Sequence, residues 1–73
     1  MNKPDFTNWC KVKAYLDDIM KANIMAGKLI FSYDDYTELL NARRALNNVA
    51  EHWSYPLYFK ILDRELYFYR RDV

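Results

Sequence analysis

The last third of the chain constrains it most. Residues Leu57 to Arg71 read LYFKILDRELYFYRR, two alternating runs that mirror one another about Asp63-Arg64. Side chains alternate between the two faces of a strand. Folding this stretch as a hairpin with Ile61 opposite Leu66 therefore sets Phe59 opposite Phe68 on one face. The other face carries Tyr58 opposite Tyr69 and Lys60 opposite Tyr67, with Arg71 just beyond. Cross-strand aromatic and aliphatic pairs are the unit of sheet stabilisation, so one face is a hydrophobic ladder and the other is aromatic and cationic. A lone hairpin is marginal in water, and the rest of the chain has to supply a third strand and a cover for the apolar face.

At 73 residues the chain is one domain, 1–73, close to the lower limit for a core held without disulfides or metal. An apolar share of 52% and an aromatic share of 18% compensate, because large rings bury much area for little side-chain entropy. That is more aromatic surface than a core of this size hides, so some is expected to remain for a partner. The single cysteine, Cys10, cannot form an internal disulfide, which suits a reducing compartment, and it is expected to act as a small packing residue. Neither a membrane-spanning run nor a signal-peptide pattern is present, so the expected location is the cytoplasm.

Taken in order, 1–4 reads as a disordered lead-in. Asp5 or Thr7 then caps a first helix whose apolar stripe is Phe6, Trp9, Val12, Leu16, Ile19, Met20 and Ile24. Gly27, the only glycine, is placed to end it in the left-handed conformation. Lys28 to Tyr33 alternates and reads as a strand. Ser32 to Asp35, SYDD, is a second helix start with acidic residues where the helix dipole favours them. The second helix runs from about Asp34 to Trp53, burying Tyr36, Leu39, Ala42, Leu46, Val49, Ala50 and Trp53, and Tyr55-Pro56 ends it. The fold class is α+β in the order α-β-α-β-β, with two helices packed on one face of a three-stranded antiparallel sheet.

A second reading rests on the same order of elements. Were the second helix broken near Asn41, the chain would resemble a winged-helix domain over most of its length. Asn41 to His52 would be the recognition helix and Asp63-Arg64-Glu65 the wing tip. The stretch ELLNARRAL carries no glycine, proline or other turn signal at the point where the two helices should part.

Nothing in the chain spells out catalysis. His52 is the only histidine and reads as a surface residue stacking on Trp53. The pairs Asp17-Asp18 and Asp34-Asp35 diverge on a helix and suit solvated surface and capping. No metal-ligand spacing, phosphate-cradling glycine loop or nucleophile elbow occurs, so the expectation is a non-enzymatic protein without cofactor, metal or small-molecule substrate. Two binding readings remain. Asn41, Arg43, Arg44, Asn47 and Asn48 are types that read base edges, and tyrosines beside Lys60 and Arg71 can stack single-stranded bases. Against nucleic acid stands a formal net charge of +1, from eleven basic and ten acidic residues, too little for a phosphate-driven binder. Protein binding fits better. Lys3, Lys11, Lys13, Lys21 and Lys28 gather in the first part and Arg43, Arg44, Arg64, Arg70 and Arg71 in the second, where only Lys60 joins them, and tyrosine, tryptophan and arginine are the types enriched at interface hot spots. Tyr58, Lys60, Tyr67, Tyr69, Arg70 and Arg71 are the expected contact surface. Free strand edges invite self-association as a homodimer or docking on another protein. In style, though in no motif, the chain resembles the compact viral and mobile-element products that inhibit or regulate a protein of the host cytoplasm.

Overall fold

The computed structural model describes residues 3–72. It shows five elements in the order read from the sequence: α1 (Trp9–Ala22), β1 (Ala26–Leu29), α2 (Tyr36–His52), β2 (Leu57–Leu62) and β3 (Glu65–Arg70). The strands form one antiparallel sheet in the order β1-β3-β2. The β2–β3 register is the one the alternation dictates, with Phe59 opposite Phe68, Ile61 opposite Leu66, Tyr58 opposite Tyr69 and Lys60 opposite Tyr67. A two-residue turn closes the hairpin, and both turn residues are left-handed (Asp63 φ 51°, Arg64 φ 62°), the twist that matches a right-handed strand pair.

The core draws on every element. Val12, Tyr15, Leu16 and Ile19 come from α1, Leu39, Ala42, Leu46, Val49 and Ala50 from α2, and Leu29, Leu57, Phe59, Leu66 and Phe68 from the inner sheet face. α2 lies directly against β2 and β3, and α1 packs on α2. α2 is one unbroken helix, so the winged-helix reading fails. Without a turn residue in ELLNARRAL, nothing offsets the loss of the helical hydrogen bonds a break would cost.

The elements' ends depart from the sequence reading in ways with local causes. Asp5 does not cap α1. Its carboxylate accepts from the Thr7 N–H (2.9 Å) and hydroxyl (2.6 Å) and closes a separate turn. Asn8 then caps the helix by accepting from the N–H groups of Cys10 (3.1 Å) and Lys11 (3.2 Å). Phe6 is left outside the helix but still leans on the core. At the other end Asn23, not Gly27, takes the left-handed cap (φ 56°, ψ 38°), a role its short amide tolerates. Ile24 therefore falls outside the helix and is exposed, and the strand starts at Ala26 rather than Lys28. Gly27 lies inside that strand opposite Phe68, where a Cβ would stand 3.0 Å from the ring, so its value is close approach rather than a special φ. The chain leaves the sheet at Ile30. Phe31 packs on Tyr15 from the following loop, with 5.6 Å between ring centroids, instead of from a strand. Tyr36 and Trp53, expected in the stripe of α2, are both about half exposed at its two ends, and Cys10 is exposed rather than packed.

The start of α2 follows its signal. Asp35 accepts from the Glu38 N–H (2.8 Å) while Glu38 reaches back to the Asp34 N–H (2.7 Å). Of the lead-in expected to be disordered, Met1 and Asn2 lie outside the described residues. Lys3 is held, its ammonium donating to the Ser32 carbonyl (2.6 Å) and Glu38 (2.5 Å).

Candidate functional site

The helices occupy the inner face of the sheet and leave its outer face uncovered. Three strands at fixed register turn that face into rows. Tyr69 of β3 lies between Ala26 of β1 and Tyr58 of β2, and Tyr67 lies between Lys28 and Lys60. The Tyr58 and Tyr69 rings meet at 5.4 Å with planes tilted by 52°, an edge-biased contact that aromatic quadrupoles favour. Arg71 sets its guanidinium 4.5 Å from the centre of the Tyr58 ring, and the Lys60 ammonium stands 5.7 Å from that of Tyr69. Each cation thus covers a ring face of its own chain.

Five of the six residues expected at the contact surface converge here: Tyr58, Lys60, Tyr67, Tyr69 and Arg71. Arg70 does not. Being next to Tyr69 in a strand, it points the opposite way. Its guanidinium is held by Asp72 (2.8 and 3.1 Å) and donates to the side chain of the α1 cap Asn23 (3.3 Å). Arg70 ties the end of the sheet to the end of α1.

Two outer-face residues escaped the sequence reading. Lys28 pairs with Glu65 at 3.1 Å, and Tyr67 donates to the same carboxylate at 3.2 Å. That bond from Lys28 is the main reason the Glu65 carboxyl is held below the usual carboxylate range. The face therefore carries Lys28, Lys60 and Arg71 against one carboxylate, a local positive excess that the chain's near-neutral total conceals. Alternation was the available signal, since it sets Lys28 on the face opposite to Leu29 and Glu65 on the face of Tyr67 and Tyr69.

The polar residues of α2 divide. Asn41, Arg44 and Asn48 are exposed and Arg43 half-buried. Asn47 is committed to structure: its side-chain oxygen accepts from the Phe59 N–H (2.8 Å) and its amide donates to the Phe59 carbonyl (2.9 Å). It thereby takes the place of a neighbouring strand at the outer edge of β2.

A second aromatic cluster forms where α1 begins and α2 ends. His52 packs edge-on against both Trp53 (5.2 Å) and Trp9 (5.5 Å), and the two indoles remain about half exposed. Lys13 lies 5.0 Å over Trp53 while its ammonium binds Asp17 (2.9 Å). The Tyr55 hydroxyl donates to that carboxylate, which with Lys13 holds Asp17 below the usual range.

Among the described residues no group of three histidine, cysteine or carboxylate side chains is placed to hold a metal ion, and no helix is long and apolar enough to cross a membrane. No protein-family model, curated protein or solved structure matches the chain.

Proposed function

We propose that this chain is a non-enzymatic protein-binding domain, an inhibitor or regulator that docks another protein on the outer face of its sheet. One observation carries the reading: Tyr58, Tyr67 and Tyr69 stand side by side on an uncovered face, Tyr58 ordered by Arg71, Tyr69 by Lys60 and Tyr67 by Glu65. Rigid aromatics beside cations lose little entropy on docking and are the types that concentrate binding energy. The matching partner surface is apolar with carboxylates among its apolar groups, which Lys28, Lys60 and Arg71 meet. The nucleic-acid alternative is weaker on this face. Bases stack on open ring faces, whereas Arg71 and Lys60 already occupy those of Tyr58 and Tyr69, and Asn47 is spent on β2.

Affinity capture from a cell lysate with wild-type and Tyr69→Ala baits tests this, alongside titration with an unstructured oligonucleotide at two salt concentrations. A protein held by the wild type and lost by the variant is expected, with the variant weakened by about 1 kcal/mol or more in a purified titration. Equal retention by both baits refutes the assignment of the face. Oligonucleotide binding that collapses with salt transfers the face to nucleic acid.

A further inference from the structure

The two edges of the sheet are treated differently. At the β2 edge Asn47 caps the middle of the outward-facing residues Leu57, Phe59 and Ile61, satisfying both backbone groups of Phe59. Among the described residues nothing pairs with the β1 edge. The Arg70 N–H donates to the Met25 carbonyl at 2.9 Å, which puts Met25, Gly27 and Leu29 in the hydrogen-bonded pairs with β3. Ala26 and Lys28 therefore turn their N–H and C=O outward. Proteins usually blunt such an edge with proline, a bulge or a free charge. β1 has neither proline nor bulge, and its one charge, Lys28, is drawn onto the outer face by Glu65. Around this edge gather three of the four exposed large aliphatic side chains among the described residues, Ile30 at 85%, Met25 at 42% and Ile24 at 41%, the fourth, Leu62, standing at the hairpin end. A hollow of about 270 Å³ opens beneath it between β1 and α1, lined by Tyr15, Ile19, Gly27, Phe31 and Phe68.

We infer that β1 pairs antiparallel with β1 of a second copy of this chain across a two-fold axis at Gly27, joining two three-stranded sheets into one of six strands. The occupant follows from self-complementarity. The outward groups belong to even-numbered residues, so three registers bring them together. Centring on Lys28 sets lysine against lysine, a repulsive pair. Centring on Ala26 sets Ile24 against Lys28 and leaves Ile30 in water. Centring on Gly27 sets Ala26 against Lys28, with each such pair exchanging both its N–H and its C=O. It also sets Ile24 against Ile30 twice over and Met25 against Leu29, and it brings the adaptable Met25 thioether of the second copy over the hollow. This register covers the exposed aliphatic residues of the edge and opposes no like charges. The two-fold axis stands perpendicular to the sheet, so both outer faces point the same way and the Tyr/Lys/Arg surface is doubled.

The inference is independent of any partner and is tested without one, by light-scattering mass across a range of protein concentrations. The wild type is expected at the mass of two 8.9 kDa chains. Ala26→Pro removes an outward N–H without touching a bond to β3, and Ile30→Lys changes a side chain that is exposed in the single chain. Each is expected to raise the dimer dissociation constant roughly ten-fold or more while leaving circular dichroism unchanged. Tyr69→Ala should leave the mass at two chains. A wild type at one-chain mass throughout overturns the inference. So does a two-chain mass in Ile30→Lys equal to the wild type's at every concentration. So does dissociation by Tyr69→Ala, which would place the interface on the aromatic face.

Discussion

Replacing Asn47 with alanine should remove more stability than any other single polar substitution on α2. The side chain makes two bonds to one backbone residue, and that residue, Phe59, is fully buried. A net hydrogen bond contributes about 1 kcal/mol, and a buried group left without a partner costs about 1–3 kcal/mol. Asn47 itself is half-buried, so water reaches part of the vacated site and the lower end of that range applies. A loss of about 2–4 kcal/mol results. A domain of this length has roughly 4–11 kcal/mol in all, so Asn47→Ala should lower Tm by roughly 10–25 °C. Asn47→Asp separates the two bonds. It keeps an acceptor for the Phe59 N–H but sets a carboxylate oxygen against the Phe59 carbonyl, so at neutral pH it should rescue nothing. Protonation restores a donor. The folded state thus raises the pKa of the introduced carboxyl, and the rescue is present below the unfolded value of about 3.9 and lost as pH rises through the folded one. Urea unfolding followed by circular dichroism at neutral and acidic pH measures both. A loss under about 0.5 kcal/mol for the alanine variant would falsify the clamp.

Other substitutions test the packing and the turn. Gly27→Ala drives a methyl into Phe68 and should cost about 1–3 kcal/mol as overpacking, much of it recovered in combination with Phe68→Leu; additive losses in calorimetry would show that the ring is not the obstacle. Arg64→Gly and Arg64→Ala both lose the stacking on Tyr36, but only alanine keeps a Cβ at φ 62°, so the glycine variant should be more stable by about 1 kcal/mol. Equal stabilities would refute strain at the turn. Of the seven tyrosines, Tyr15 and Tyr33 are pushed up to about 12 by burial, with charges on Tyr33 and Glu38 respectively adding to it. The unfolded chain loses those protons near 10.0, so this stability is fully present below pH 10 and is lost as pH rises toward 12. Ultraviolet absorbance should resolve two late-titrating tyrosines. The Tyr33 hydroxyl has no partner among the described residues, so Tyr33→Phe should keep or slightly raise Tm.

What the sequence disclosed tracks how local the deciding physics is. The hairpin register was legible because alternation and a two-residue turn leave one pairing that keeps Phe59, Ile61, Leu66 and Phe68 on a single face. Element order was legible from the stripes of α1 and α2. The end of α1 was not, because Asn23 and Gly27 can both turn left-handed, and what chose between them was the fit of Gly27 under Phe68, a residue 41 positions away. Charge groups Arg70 with Arg71, whereas strict alternation places it on the opposite face from Tyr69. Asn47 looked like helix surface, and only the position of the β2 edge beside α2 gives it a task. Alternation alone puts Lys28 and Glu65 on the outer face, but their pairing depends on the β1–β3 register, which sets Lys28 opposite Tyr67.

The two edges bear on one another. A sheet that pairs through one edge closes as a dimer, whereas a sheet with both edges open continues into an array. If β1 is the pairing edge, Asn47 limits assembly as well as supporting the fold, because Phe59 cannot offer its N–H and carbonyl to another strand while the amide holds them. Asn47→Ala should then raise the mass above two chains with increasing concentration, as β2 edges of separate dimers pair. Adding Ile30→Lys should break the array at each β1 junction and leave species of two chains joined through β2. Growth that ignores Ile30→Lys would mean unfolding-driven aggregation instead. A mass fixed at two chains in Asn47→Ala, in a protein still folded by circular dichroism, would mean that α2 covers the β2 edge without its asparagine.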